Sequence, residues 1–158
     1  MKKAFTCIIL ALVICLSITG CNIKIDTDPD EWRIFRDDSY SLSNYNFDYL
    51  RLSHYGTELA KIYDYDDMTA LFDMTKALVL TRSHESNDLP ADFELLCTVS
   101  FVRKNGDGPV VSYYFNISTT GEICFIRDRI ATIGVVYVGN STEILNEVNR
   151  LIELYNQS

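Results

Sequence analysis

Three alternating runs joined by turn residues constrain this chain most. FELLCTVSFVR (93–103), VVSYYFNI (110–117) and EICFIR (122–127) are separated only by KNGDGP and STTG. In the first run Phe93, Leu95, Cys97, Val99 and Phe101 share one face, since strand side chains alternate with period two. Asn105-Gly106 is a hairpin signal, because both residues accept the positive φ angles of a tight turn. Strands joined by so few residues pair antiparallel. The three runs therefore predict a meander, and IATIGVVYV (130–138) reads as a further, more buried strand.

The segments around the meander complete an α+β pattern. In FDYLRLS, Phe47, Tyr49 and Arg51 alternate with Leu50 and Leu52. His54, Tyr55 and Gly56 then turn the chain into TELAKIY, which predicts a hairpin. Over 66–80 the period changes: Met68, Leu71, Phe72, Thr75, Leu78 and Val79 form a helical stripe, with Asp64 or Asp66 as its cap. Residues 81–92, TRSHESNDLPAD, read as a polar loop. Asn140 with Glu143 resembles a capping box opening a second helix, whose stripe is Ile144, Leu145, Val148, Leu151, Ile152 and Tyr155. The expectation is one small α+β domain over 45–158: hairpin, helix, meander and a closing helix, with an antiparallel sheet and two amphipathic helices.

The first residues follow other rules. Lys2 and Lys3 precede the apolar stretch Ala4–Leu16, about as long as the 7–15-residue core of a signal peptide. Ser17, Ile18, Thr19, Gly20 and Cys21 follow. Ile18-Thr19-Gly20-Cys21 resembles the box of a bacterial lipoprotein signal: aliphatic residue, small or moderate residue, Gly or Ala, then Cys. The resemblance implies cleavage between Gly20 and Cys21, with a diacylglycerol on the Cys21 thiol. It makes 1–20 a signal peptide and 21–44 an acidic tether, although Trp32, Ile34 and Phe35 can pack back on the domain as an arm. An uncleaved transmembrane helix is the other reading of this length. Either way the basic start stays inside, and the rest lies on the extracytoplasmic face of the cell membrane.

Removing 1–20 leaves 12 basic against 22 acidic side chains, a net −10. That charge argues against nucleic acid as a partner, because phosphates need Lys and Arg to displace their counterions. Cys7 and Cys15 leave with the signal, and Cys21 is the anchor. In a meander, Cys97 and Cys124 flank a middle strand and lie about 10 Å apart. A disulfide needs Cα atoms within about 7 Å, so both are expected as buried free thiols.

No pattern for catalysis, cofactor or metal stands out. DTDPDE places Asp26, Asp28 and Asp30 at alternate positions, yet Glu31 stands where a calcium loop needs Gly, and Asp37 where it needs a bidentate Glu. The acids of IYDYDDM (62–68) are explained by capping. His54 and His84 are the only histidines, and neither HExxH nor CxxC occurs. No GxSxG elbow supports a hydrolase. No Gly-rich loop leads from a strand into a helix to hold phosphate. The sequons at Asn116 and Asn140 carry little meaning in a bacterial chain.

Tyrosines are abundant, and the adjacent pair Tyr113-Tyr114 must face opposite sides of its strand. The body also resembles an uncharacterised family of small bacterial lipoprotein domains through Asn87, Asp88, Pro90 and the KNGDG turn. That family has no established activity to carry over. The expected role is a non-enzymatic binding domain, held to the bilayer through acylated Cys21 and facing an unknown envelope protein or ligand. A regulatory or inhibitory partner of a membrane sensor or cell-wall enzyme is the alternative, with loop 81–92 as its contact. The expected partner surface is His84, Asn87, Asp88 and Tyr114.

Overall fold

The computed structural model describes residues 29–35, 41–105, 108–127 and 134–156. Gly20, Cys21, the expected tether up to 28, Asp37, Gly106 and the first residues of the 130–138 run lie outside them.

Eight strands form one antiparallel sheet. They are β1 (Glu31–Trp32), β2 (Tyr49–His54), β3 (Thr57–Ile62), β4 (Leu80–Glu85), β5 (Leu95–Asn105), β6 (Gly108–Ser118), β7 (Glu122–Arg127) and β8 (Val135–Asn140). Their order across the sheet is β1-β4-β8-β7-β6-β5-β2-β3. Helices α1 (Leu42–Tyr45), α2 (Tyr65–Ala77) and α3 (Thr142–Tyr155) complete the α+β domain. The predicted hairpin is β2–β3, and the predicted meander β5–β6–β7 continues into β8. Tyr55 (φ 45°) and Gly56 (φ 84°) both take the left-handed backbone that a two-residue hairpin turn needs.

One sheet face carries Leu50, Leu52, Ile62, Val99, Phe101, Phe115, Ile117 and Ile123. Met68, Leu71 and Phe72 of α2 and Ile144, Val148 and Leu151 of α3 pack onto it. Each helix presents its apolar stripe, and the charged residues stay outside. The opposite face carries a smaller cluster of Phe93, Leu95, Cys124 and Val136, with half-buried Leu89 packed against it.

Several expectations change in detail. α2 ends at Ala77, short of Leu78 and Val79: Leu78 takes an extended backbone, and Leu80 is buried as the first residue of β4. Residues 81–85 therefore continue β4 as a strand where a polar loop was expected, because backbone pairing with β8 holds it whatever its outward side chains. Asp64, not Asp66, caps α2, accepting from the backbone N–H groups of Asp66 and Asp67. Ser141, not Asn140, caps α3: its hydroxyl accepts from Ile144 N, while Asn140 still pairs with Glu122 in the sheet. The five-residue face of the first meander strand is split, since a bulge at Leu96 turns Leu95 to the side opposite Cys97.

The packed unit also reaches back before position 45. β1 pairs with β4, Tyr137 donates its hydroxyl to Pro29 O, and Ile34 and Phe35 are buried. Phe35 lies 4.5 Å from Phe72 and 4.8 Å from Tyr113, centroid to centroid. The boundary expected at 44/45 thus falls inside the domain, with residues 29–35 forming the arm.

Candidate functional site

A break in one ladder creates the most distinctive surface. β6 pairs with β5 from Gly108 opposite Asn105 to Ser118 opposite Leu95, interrupted by the bulge at Leu96 and by a second that leaves Ser112 without a register partner. Among the described residues its other side pairs with β7 only at Ile117–Ile123 and Asn116–Cys124. Beyond Asn116 the two strands separate, while β7 continues with β8 as far as Arg127–Val135. The sheet is therefore split between β6 and β7.

A groove of about 450 Å³ occupies the split, with Trp32, Tyr113, Tyr114, Phe125 and Arg127 among its walls. A second hollow of about 410 Å³ runs on from it beneath Asn46, Phe47, Arg103 and Val110. The two share Ser112 and Tyr113, so they meet along β6. Trp32 stacks on Phe125 at 6.2 Å, and the Arg127 guanidinium lies 4.4 Å from the centre of the Trp32 ring. Tyr113 packs against Phe35 and Tyr45. Val110 and Val111 stand 40 % and 41 % exposed on the same strand. Among the described residues lining both hollows, the charged ones are Arg103 and Arg127, in a chain where acids outnumber bases 22 to 14.

The expected partner residues are distributed unevenly. Tyr114 lines the groove, and its hydroxyl reaches the Ile126 carbonyl at 3.4 Å across the split. His84 is exposed on β4, opposite Val136, with Nδ1 2.9 Å from Ser83 Oγ. Asn87 acts within the fold, since its Oδ1 accepts from Gly134 N at 2.7 Å, and Ser86 N donates to Gly134 O. Asp88 is exposed beside it, its N–H donating to Ser86 Oγ. These three sit around β4 and the loop after it, apart from the walls of the groove. Trp32, Ser112, Phe125, Arg103 and Arg127 were missed. The Tyr113-Tyr114 pair pointed toward the site.

Other chemistry-bearing groups are accounted for locally. His54 Nδ1 lies 2.8 Å from Leu96 O. Burial pushes the Cys97 and Cys124 thiols up to about 12, and both are free. Among the described residues no group of three or more His, Cys, Asp or Glu is placed to hold a metal, and no helix is long and apolar enough to cross a membrane. The chain matches no protein-family model, no curated protein and no solved structure.

Proposed function

We propose that this chain is a lipoprotein tethered at the extracytoplasmic membrane face through Cys21, and that its domain serves as a non-enzymatic binding module. The groove at the β6–β7 split carries the binding half of this reading. It brings aromatic walls, exposed aliphatic residues and two guanidinium groups together where the sheet leaves a strand edge without a ladder partner among the described residues. Such a mixture of apolar surface and a few polar groups suits recognition. Basic Lys2 and Lys3, the apolar stretch and Ile18-Thr19-Gly20-Cys21 support the anchored half.

Each half has its own test. Wild-type cells fed labelled palmitate are expected to label the protein, and Cys21→Ala to accumulate unlabelled precursor. Equal labelling of the two overturns the anchor. For binding, envelope extract is passed over the wild-type domain and over the double variant Arg103→Glu, Val110→Glu. Capture lost in the variant supports the groove as the site. Identical capture, or none by either, removes it.

A further inference from the structure

Two ammonium groups meet over one pair of rings at the β3–β2–β5 corner of the sheet. Tyr49 and Arg51 alternate with Leu50 and Leu52 along β2, so they face away from α2 and α3. Tyr49 is buried, and Tyr63, exposed just beyond β3, tilts against it at 5.5 Å between ring centres. Lys61 Nζ stands 4.5 Å from the centre of the Tyr49 ring and 5.7 Å from that of Tyr63. Lys104 Nζ approaches the same two rings from β5, at 6.0 and 5.9 Å. Asp48 fixes the Lys104 end, since its carboxylate accepts from Lys104 N while its own N–H donates to Val102 O.

Ring faces attract one cation, but a second at the same rings adds repulsion between like charges. No carboxylate among the described residues pairs with either ammonium group. Asp48 is turned to the backbone, and Glu58 acts on Lys61 from beyond ion-pair distance. The Tyr63 hydroxyl raises Lys61 above its usual 10.5, so this ammonium is charged at neutral pH. Arg51, opposite Lys61 in the ladder, makes no ion pair among the described residues either, and its buried Nε has no hydrogen-bond partner. Three cations thus crowd one corner of a chain in which acids outnumber bases 22 to 14. An anion seated between the lysines removes their repulsion. Each lysine acts as a point charge and takes its own oxygen, and a phosphate group offers three, with the Tyr63 hydroxyl as a further donor.

We propose that Lys61, Lys104 and Tyr63 form a phosphate-binding site at this exposed corner, taking the phosphate ester of a lipid headgroup or of a soluble ligand. The site shares no residue with the groove at the β6–β7 split and does not rest on it.

The test uses the full chain, labelled with carbon-13 at the lysine ε carbons, in micelles of a nonionic detergent at pH 7. The probe is sodium glycerol 1-phosphate, added at constant ionic strength. Saturable shifts of the Lys61 and Lys104 signals are expected, with half-saturation at about 1–10 mM. Lys76, which pairs with Asp73, is expected to stay unmoved. Lys61→Gln or Lys104→Gln is expected to weaken binding about fivefold or more, Tyr63→Phe to weaken it less, and Lys76→Gln to leave it unchanged. Lys61, Tyr63 and Lys104 are exposed, and far-UV circular dichroism checks that each variant folds. Micelles doped with phosphatidylglycerol, against phosphatidylcholine, separate the two sources. Displacement of glycerol phosphate by the doped anionic lipid assigns a headgroup, and unchanged binding assigns a soluble ester. Shifts that grow linearly with the probe, shifts of Lys76 as large as those of Lys61, or an equal response to acetate overturn the phosphate site. So does the absence of any shift. Neither lysine lines the groove, so this outcome is independent of envelope capture through Arg103 and Val110.

Discussion

Tyr155 donates its hydroxyl to Asp67 Oδ2 at 2.7 Å, joining the last turn of α3 to the first turn of α2. Arg150 reaches the other oxygen of the same carboxylate and also Glu147, so one acid holds two elements far apart in sequence. Burial pushes the Asp67 carboxyl up, but the Tyr155 hydroxyl and the Arg150 guanidinium outweigh it and hold the group below its usual 3.8. A carboxyl depressed in the folded state stabilises above its unfolded pKa, and that stability is lost as pH falls through the lower folded value. Asp67→Asn is therefore expected to cost stability at pH 7 and to flatten the acid limb of Tm against pH below about 4. Arg150 is half exposed, so the cost at neutral pH is about 1–2 kcal/mol. Thermal melts of both proteins from pH 2 to 7 check this, and parallel acid limbs count against it.

The same contact acts on Tyr155 from the alkaline side. Its hydrogen bond to Asp67 pushes the phenol up to about 12. A group raised in the folded state contributes stability that is complete below its unfolded value near 10 and is lost as pH rises through the folded one. Tyr155→Phe is expected to destabilise by about 1 kcal/mol at pH 7. Its deficit relative to wild type should shrink above about pH 10, as urea melts at pH 7 and 11 would reveal.

Cys97 and Cys124 point to opposite faces of the sheet. Cys97 lies opposite Ile117 and Ile117 opposite Ile123, so Cys124, one residue further, faces the other way. Separation across β6 already opposed a disulfide, and the facing makes it impossible without unfolding. With both thiols raised to about 12, native residues 22–158 should show almost no reaction with Ellman's reagent at pH 8. Two thiols are expected to react once the protein is unfolded without reductant.

The meander, the hairpin and both long helices were legible because each has a side-chain period, and a period survives in one dimension. β4 has none: Thr81, Arg82 and His84 are held by backbone pairing to β8, with Ser83 bulged out between Arg82 and His84. The bulge at Leu96 was hidden for a related reason, since one inserted residue shifts a face without changing composition. The groove was least legible of all. It exists because a ladder stops at Asn116–Cys124, and where a ladder stops depends on two strands diverging, not on either one's residues. Tyr113-Tyr114 marked a strand with aromatics on both faces. Nothing local showed that Trp32, about eighty residues earlier, would lie alongside.

Asn87 illustrates how a polar loop is fixed. Its Oδ1 accepts from Gly134 N and Ser86 N donates to Gly134 O, pinning the segment after β4 to the start of β8. The pin holds Leu89 and Phe93 over the second cluster. Asn87→Ala removes one backbone partner and is expected to cost about 1 kcal/mol. Amide exchange at 86–93 should accelerate more than exchange in α3, and uniform acceleration would assign the residue no local role.

The arm gives the sharpest test of where the domain begins. Phe35 is completely buried among Phe72, Phe101, Tyr45 and Tyr113, between the sheet and α2. Removing its ring leaves a cavity in the middle of an aromatic cluster, and Phe→Ala changes in such places cost about 3–5 kcal/mol. That is a large share of the roughly 5–15 kcal/mol by which domains are usually stable. A chain starting at residue 29 is therefore expected to unfold cooperatively. One starting at residue 41 loses β1, Trp32, Ile34 and Phe35 together and is expected to lose its near-ultraviolet circular dichroism. Phe35→Leu, which keeps most of the apolar volume, should fall between them. Equal Tm for the two truncations would mean that the arm packs without holding anything, and would restore the domain boundary near residue 45.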